Sequence, residues 1–259
     1  MANKPVVVIG MGEMGSVFAR GLLRLGHPVY PVNRDTSMKK MARVLPKPGL
    51  VLVAVSEGDL ASVLKVVPKA WRKRLALLQN ELLPDDYRHL DEVSVISVWF
   101  EKKKGQDSKV IMPSPAHGPR ARLLAKALAS LDIPVRLVER PRDMLFELVL
   151  KNVYILTTNI AGLRSGGTVG ELWAEHQDLA RSVARDVITL QEALTGSRFS
   201  NDELIAAMVR AFEGDPDHRC TGRSAPERLR RTLAHADRLG IGLPTLREIA
   251  AGQAQATDA

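Results

Sequence analysis

The sequence predicts an α/β protein in which an N-terminal doubly wound, mostly parallel sheet (residues 1–140) precedes an all-α domain (residues 141–259). Up to about residue 140, short apolar runs alternate with helical patterns, as expected of buried parallel strands joined by helices. The first run ends in a glycine-rich turn. From Asp143 onward, no strand pattern persists. Helices are predicted there over residues 143–163, 170–195, 201–212, 226–239 and 244–254.

The glycine-rich turn has the spacing G-x-G-x-x-G, between a predicted strand at residues 6–9 and a helix at residues 14–25. A second strand is predicted at residues 29–32. The first glycine permits the tight turn, the second lets a pyrophosphate approach the backbone, and the third lets the helix pack closely on the strand. The helix N-terminus offers free N–H groups to phosphates. We therefore predict a Rossmann-type dinucleotide site that contains Gly10, Met11, Gly12, Glu13, Met14 and Gly15.

The residues after the second strand favour NADP(H) over NAD(H). An NAD site usually has a carboxylate here, which accepts hydrogen bonds from the adenosine ribose. This chain has Asn33 and Arg34 instead, and a cation suits a 2′-phosphate. Two alternatives stay open: Arg34 as a solvated loop charge, and Asp35 as the ribose acid if the strand ends one or two residues later.

Two further predicted strands, at residues 50–55 and 75–78, end next to polar residues. Open α/β sheets bind ligands outside the carboxyl ends of their strands. Val55, Ser56 and Asn80 are therefore predicted to contact the cofactor. Asn80 offers both a donor and an acceptor, so it is also a predicted substrate ligand. The alternative for Asn80 is a turn asparagine. The short gap before residue 50 also predicts that a strand common in longer dinucleotide-binding sheets is missing.

Local patterns give three further expectations for this half of the chain. Asp59 is predicted to cap the helix that follows the third strand. Residues 101–109 are predicted to form a charged hairpin loop, with the lysines at 102–104 in solvent and a binding patch as the alternative. Residues 112–119 are predicted to be irregular. His117 within them is predicted to be structural or solvated, and a contact with cofactor or substrate is the alternative.

The long predicted helix carries Lys151 and Asn159, eight residues apart. At about 3.6 residues per turn these residues share one face. Burial of a lysine in such an apolar stretch disfavours the ion, which suits a proton donor near neutral pH. We predict Lys151 as the catalytic acid and Asn159 as a ligand for a substrate carboxylate or hydroxyl. The alternative is that Lys151 reaches solvent and Asn159 caps a bend.

Composition excludes several other classes of protein. The net charge of +8 suits an anionic dinucleotide and an anionic substrate. No basic block is interleaved with aromatic residues, so no nucleic-acid partner is predicted. A single cysteine, Cys220, excludes an intrachain disulfide and offers no metal cluster, so no metal is expected. No apolar run is judged long enough to span a membrane, and the chain enters a strand directly, which predicts a cytoplasmic protein without a signal peptide or membrane partner.

The glycine fingerprint, the strand ending in Gln79-Asn80, the helix GPRARLLAKAL and the helix from Lys151 to Asn159 together resemble ketopantoate reductases (2-dehydropantoate 2-reductases). More loosely, they resemble the wider group of hydroxyacid and 6-phosphogluconate dehydrogenases. The resemblance implies an enzyme in which NADPH reduces a 2-keto acid to the 2-hydroxy acid. From the residues we also keep an imine open as the substrate. The resemblance also implies a homodimer formed through helical domains.

The resemblance assigns roles residue by residue. Lys151 matches the family's general acid, Asn159 its second helix asparagine, and Asn80 its asparagine after the sheet strand. Two positions depart from the family: Ile155 replaces the first helix asparagine, and Ser224 stands at the position of a substrate-binding glutamate. Ser224 is therefore the predicted substrate ligand there. These departures leave a second hypothesis open, a non-catalytic NADP-binding sensor or scaffold.

Overall fold

The computed structural model describes residues 3–222 and 224–257. The chain divides into two compact units between Leu148 and Val149. This division lies inside a long helix, Pro141–Ser165. The predicted domain boundary, after residue 140, lies at the beginning of that helix.

The first unit alternates strands and helices. Its strands are β1 (Val6–Ile9), β2 (Val29–Val32), β3 (Leu50–Val53), β4 (Leu75–Leu77), β5 (Ser94–Ile96), β6 (Phe100–Glu101), β7 (Lys109–Val110), β8 (Ser114–His117) and β9 (Val135–Leu137). Its helices are α1 (Glu13–Arg24), α2 (Met38–Val44), α3 (Glu57–Val66), α4 (Pro84–Tyr87) and α5 (Ala121–Ala129), with a 3-10 helix at Lys69–Arg74.

Seven strands form one sheet in the order β2-β1-β3-β4-β5-β8-β9. The first five strands in this order are parallel, and β8 is antiparallel to β5. The prediction of a doubly wound, mostly parallel sheet is confirmed. β2 is the edge strand on its side of the sheet, with no further strand beyond it among the described residues, as the short gap before β3 predicted. From β1 the chain first adds β2 on one side, and then crosses over to add β3 on the other side of β1. The carboxyl ends of β1 and β3 are therefore the topological switch point of the sheet.

Both faces of the sheet are covered, because alternate residues of each strand point to opposite sides. Val6 and Val8 of β1 pack in an apolar cluster with Phe18 of α1 and Leu124 of α5. Val7 and Ile9 pack in a second cluster, whose members include Leu60, Leu64 and Trp71. Burying one such aliphatic side chain contributes about 1.5–3 kcal/mol. The two layers hold the carboxyl ends of the strands in place.

The prediction that residues 112–119 are irregular is wrong, because this segment contains β8. This strand pairs with β5, and the Pro115 carbonyl accepts a hydrogen bond from Ser97 N at 2.9 Å. Prolines usually mark edges or irregular backbone, which obscured the strand. The His117 ring nitrogen Nδ1 lies 2.8 Å from the carbonyl oxygen of Val138, a structural contact.

The predicted cap at Asp59 is also wrong. Ser56 is the N-cap residue of α3, and its hydroxyl donates to the carboxylate of Asp59 at 2.8 Å. The helix begins two residues before Asp59, at Glu57. Ser56 therefore lies at the junction between the end of β3 and the first turn of α3.

The second unit is helical. After α6 (Pro141–Ser165), its helices are α7 (Val169–Glu175), α8 (Gln177–Thr195), α9 (Asn201–Gly214), α10 (Ala225–Leu239) and α11 (Pro244–Thr257). Residues 149–222 and 224–257 contain no β-strand, so the all-α prediction is confirmed. The single helix predicted at 170–195 is two helices, because His176 leaves the helical region at φ −129° and ψ 35°.

α6 is long and apolar enough to cross a membrane by length and composition, so the expectation that no run reaches that length is wrong. However, 78% of its most apolar window is buried inside the chain. Such burial is what the central helix of a packed helical unit requires. Elsewhere in this unit, buried Asp186 of α8 accepts a hydrogen bond from Leu246 N of α11 at 3.1 Å, and burial raises the pKa of Asp186.

Candidate functional site

The turn after β1 packs against the carboxyl ends of the two neighbouring strands, β2 and β3. Gly10 has φ +91°, a conformation that other residues rarely adopt. A Cβ atom here would lie 2.8 Å from the carbonyl oxygen of Ala54, directly after β3. Gly10 N donates to the carbonyl oxygen of Val32, at the end of β2, at 2.9 Å. Only glycine at position 10 therefore lets the turn close against its neighbours.

Gly12 and Gly15 have opposite surroundings. A Cβ atom at Gly15 would lie 2.0 Å from the carbonyl oxygen of Gly10, so α1 packs on the turn as only glycine allows. A Cβ atom at Gly12 would meet no described atom within 4 Å. Gly12 is the N-cap of α1, and the free N–H groups of a first helical turn favour anions. This arrangement fits a dinucleotide pyrophosphate on the open side of Gly12.

Two of the predicted cofactor residues point their side chains inward. Met11 and Met14 are half-buried and pack against the core cluster that contains Val6 and Val8. Their backbone N–H groups remain at the turn, where a dinucleotide phosphate is predicted to lie. Glu13, the first residue of α1, has a side chain that is about half exposed.

We expect alanine substitutions at Gly12 and Gly15 to act differently. Gly15→Ala should lower the free energy of unfolding by about 1–3 kcal/mol, because the added methyl group overlaps the backbone of the turn. Gly12→Ala should unfold near the wild-type temperature but bind NADPH roughly tenfold or more weakly, because the methyl group occupies the phosphate side. Thermal unfolding with and without NADPH separates these effects. Equal loss of stability in both variants would contradict this assignment.

The residues after β2 form a small exposed turn. Asn33 N donates to the hydroxyl of Thr36 at 3.2 Å, and Thr36 N donates to the carbonyl oxygen of Asn33 at 3.0 Å. Between them, Arg34 and Asp35 are both exposed. The Arg34 guanidinium is therefore accessible to an anion at the carboxyl edge of the sheet.

The ends of β3 and β4 are held together by Gln79, whose positioning role was not predicted. Its buried amide Nε2 donates to the carbonyl oxygens of Val53 at 2.8 Å and Val55 at 3.2 Å. The next residue, Asn80, donates through Nδ2 to Glu57 Oε1 at 3.2 Å. The structure thus brings Asn80 beside the segment that contains Val55 and Ser56, as the sequence predicted for one sheet edge.

Ser97 is a further candidate at this edge. Continuing the register of β4 with β5, in which Ala76 is opposite Ser94, places Ser97 level with Gln79. The Ser97 hydroxyl is buried and has no hydrogen-bond partner among the described residues. A buried hydroxyl of this kind is available to a ligand. Ser97 was not among the site residues predicted from the sequence.

In the second unit, Lys151 is 8% exposed and does not extend into solvent. Its Nζ lies 5.4 Å from the centre of the buried Tyr154 ring. An aromatic face stabilises a nearby ammonium, which offsets part of the cost of burial. The alternative in which Lys151 reaches solvent is therefore wrong.

Asn159 does not cap a bend. It is 5% exposed, and its Oδ1 accepts a hydrogen bond from the guanidinium Nη1 of Arg228 at 2.9 Å. Its Nδ2 is 3.4 Å from the hydroxyl of Thr158. Arg228, in α10, is 7% exposed. The second unit thus places a buried arginine on the asparagine that lies about two turns from Lys151 along α6.

Arg228 was not predicted as a site residue, although the helical periodicity of α10 places it on the apolar face of that helix. Arg228 lies on the buried face of α10, whose other members are Ala225, Leu229, Thr232 and Ala236. The adjacent arginines differ: Arg230 is exposed, and Arg230 and Arg231 pair with the exposed Glu227. A buried arginine among solvated ones is unusual enough to indicate a specific role.

Other predicted or polar positions near α6 have distinct environments. Ser224 is exposed at the N-cap of α10, and its side chain makes no capping hydrogen bond, so its role as a substrate ligand stays a prediction. Ile155 is half-buried, about one turn from both Lys151 and Asn159. Asn152 is buried and donates to Gln191 Oε1 of α8 at 2.9 Å, which is a packing contact between helices.

Cys220 is buried against α6, where a Cβ atom on Gly162 would lie 2.6 Å from its Cβ. Burial, with a smaller contribution from the charge of Glu171, raises the pKa of Cys220 to about 11. The thiol is therefore neutral near pH 7 and does not act as a nucleophile there.

The two units therefore carry different chemistry. The first presents a glycine turn and a helix N-terminus at the switch point of a parallel sheet, with an exposed arginine after the neighbouring strand β2, which are the features of a dinucleotide-binding unit. The second presents a buried ammonium and a buried guanidinium hydrogen-bonded to an amide. These groups can donate a proton and hold a carboxylate.

No protein-family model matches the sequence, and no curated protein matches it. Solved structures do match. A 2-dehydropantoate 2-reductase from Methylococcus capsulatus has a TM-score of 0.70 at 14% identity, over 98% of this chain and 96% of its own. A PanE/ApbA family ketopantoate reductase from Ralstonia eutropha JMP134 has a TM-score of 0.66 at 20% identity, over 95% and 96%.

A third match is D-mandelate dehydrogenase in a ternary structure with NADH and anilino(oxo)acetate. Its TM-score is 0.66 at 11% identity, over 95% of this chain and 96% of that one. Several other matching structures are also 2-dehydropantoate 2-reductases. At these identities the likeness establishes the fold: the chain has the fold of the ketopantoate reductases, as the sequence resemblance implied.

Proposed function

We propose that this chain is an NADPH-dependent oxidoreductase that reduces a small acidic substrate, a 2-keto acid or a related imine. The observation that carries the proposal is the buried Lys151, aligned along α6 with Asn159, which is hydrogen-bonded to Arg228. This set combines a proton donor with a carboxylate receptor. The likeness to ketopantoate reductases and to D-mandelate dehydrogenase supports the same reaction class.

In this proposal the first unit binds the cofactor, which supplies a hydride from its nicotinamide when bound. The backbone N–H groups of residues 11–14 receive the pyrophosphate beside Gly12. Arg34 receives the 2′-phosphate through charge-assisted hydrogen bonds. Val55, Ser56 and Asn80 line the carboxyl edge of β3 and β4, where the rest of the dinucleotide is expected to lie.

The second unit supplies the acid chemistry. Lys151 Nζ carries the proton that the substrate oxygen takes as its carbonyl is reduced, and the ammonium charge stabilises the developing alkoxide. Arg228 and Asn159 hold the substrate carboxylate. A guanidinium is suited to this because its planar donors match the two oxygens of a carboxylate. Asn80 and Ser224 stay as predicted further contacts of the substrate.

The direct test is a panel of 2-keto acids and cyclic imines, with NADPH consumption followed by absorbance and products identified by mass spectrometry. We expect at least one 2-keto acid to be converted to its 2-hydroxy acid, with reactions that lack the protein as the blank. If the protein binds NADPH but consumes it with no member of the panel, the non-catalytic alternative is favoured. That alternative is motivated by two positions at which the resemblance implies a different substrate ligand. Ile155 stands where it implies an asparagine, and Ser224 stands where it implies a glutamate.

Cofactor preference gives a separate prediction at Arg34. NADPH and NADP should raise the melting temperature more than NADH and NAD at equal concentration, because a tighter ligand stabilises more by mass action. Arg34→Ala should weaken NADPH binding roughly tenfold while changing NADH binding little. Asp35→Ala is the neighbouring control, since Asp35 is also exposed. A preference for NAD that depends on Asp35 would contradict the proposed NADP specificity.

We also propose a homodimer. The support is the fold shared with a dimeric ketopantoate reductase from Staphylococcus aureus. Light scattering on the purified chain measures the assembly directly, and a monomer across the working concentration range would contradict this proposal.

A further inference from the structure

Lys102, at the start of the loop between β6 and β7, lies against the predicted phosphate turn. Its side chain is 17% exposed, whereas that of Lys103 is 63% exposed. Lys102 Nζ lies 3.8 Å from Glu13 Oε2, at the first turn of α1. It also donates to the carbonyl oxygen of Lys103 at 2.8 Å and to that of Gln106. The expectation of a solvated loop tip is therefore wrong for Lys102.

Glu13 creates an electrostatic conflict at this place. A carboxylate in the first turn of a helix interacts favourably with the helix N-terminus. The same N–H groups are those that a pyrophosphate would use, and the carboxylate repels it. A site built for a dinucleotide therefore needs a positive charge close to Glu13.

Lys102 provides that charge in a fixed position. An ammonium has three N–H donors, and backbone carbonyls of its own loop take two of them. The remaining donor is available to the Glu13 carboxylate or to a phosphate oxygen. Because the loop already holds the ammonium, binding an anion requires little loss of side-chain freedom.

We propose that Lys102 is a cofactor-positioning residue: its ammonium, held by the 102–106 loop, offsets the charge of Glu13 and attracts the pyrophosphate of the dinucleotide. This inference rests on the proposed binding of NADPH. It assigns the loop between β6 and β7 to the cofactor site, in addition to the glycine turn. Lys103 and Lys104, which are more exposed, have no part in it.

The test is titration of NADPH into the full chain and into charge variants. Lys102→Met should weaken NADPH binding roughly tenfold at low salt, whereas Lys102→Arg should stay within about twofold of wild type. Lys104→Met, which removes the same charge from an exposed position of the same loop, should leave binding unchanged. Adding Glu13→Gln to Lys102→Met should restore most of the affinity, because the local net charge returns to that of wild type.

Salt and a smaller ligand separate an electrostatic role from a structural one. The loss in Lys102→Met should shrink at about 1 M salt, where the screening length falls to about 3 Å. Binding of adenosine 2′-phosphate, which lacks the pyrophosphate, should be unaffected by Lys102→Met but weakened by Arg34→Ala. A loss that is independent of salt and extends to adenosine 2′-phosphate would indicate a distorted loop and overturn the inference.

Two other results would also overturn it. If wild-type protein binds NADPH and Lys102→Met binds it as tightly as Lys104→Met does, this inference fails while the proposed function stands. If wild-type protein binds no nicotinamide dinucleotide, the proposed function fails and this inference fails with it.

Discussion

Lys151→Met is expected to lower kcat about 10²- to 10⁴-fold, the usual contribution of a positioned general acid. Methionine keeps an apolar chain of similar length in a site that is only 8% exposed, so the melting temperature should change little. NADPH binding should also persist, because the glycine turn lies in the other unit. The measurement is the rate of hydride transfer in a single turnover, with a substrate found in the keto-acid panel.

Tyr154→Phe is the matched control for Lys151. Phenylalanine keeps the aromatic ring, whose centre is 5.4 Å from Lys151 Nζ, and removes only the hydroxyl. This variant should keep its rate within a few-fold of wild type if the ring stabilises the ammonium. A near-normal rate in Lys151→Met would remove the lysine from the chemistry.

Arg228→Met is expected to raise KM for an acidic substrate about 100-fold, with a smaller effect on kcat. A hydrogen bond to a charged group contributes about 1.5–3 kcal/mol, and a guanidinium can make two with one carboxylate. Discrimination against the neutral amide of the same substrate should be lost as well. Arg230→Met is the control in the same helix, because Arg230 is exposed and paired with Glu227.

Asn159→Asp tests Arg228 without removing it. An aspartate here would face the guanidinium that now donates to Asn159 Oδ1 at 2.9 Å, and would neutralise it in place. The fold should be retained, because the hydrogen bond becomes charge-assisted, while the affinity for acidic substrates should fall. Unchanged KM in both Asn159→Asp and Arg228→Met would show that the carboxylate binds elsewhere.

The parts of the fold that depend on local sequence were predictable. The strand at residues 6–9, the spacing of Gly10, Gly12 and Gly15, and the helical period after residue 140 each reflect neighbours along the chain. The burial of Lys151 was also predictable, because it lies in a long apolar helix, whereas its catalytic role stays a prediction. Residues 112–119 were not predictable, because β8 forms through pairing with β5 while Pro115 within it and the prolines on either side signal irregular backbone.

The unpredicted site residues depend on contacts between distant segments. Arg228 contacts Asn159 from 69 positions away, and Lys102 contacts Glu13 across an even longer stretch of sequence. Nothing adjacent to Lys102 distinguishes it from Lys103 and Lys104, so its position was not visible in the charge run. Periodicity could have placed Arg228 on the buried face of α10, but its partner becomes known only from the fold.

The most direct test of the account is a crystal structure of the chain with NADPH bound. We expect the two bridging phosphates to lie against the backbone N–H groups of residues 11–14, on the open side of Gly12, with the 2′-phosphate at Arg34. A dinucleotide bound elsewhere, or a turn that stays empty at saturating NADPH, would contradict it.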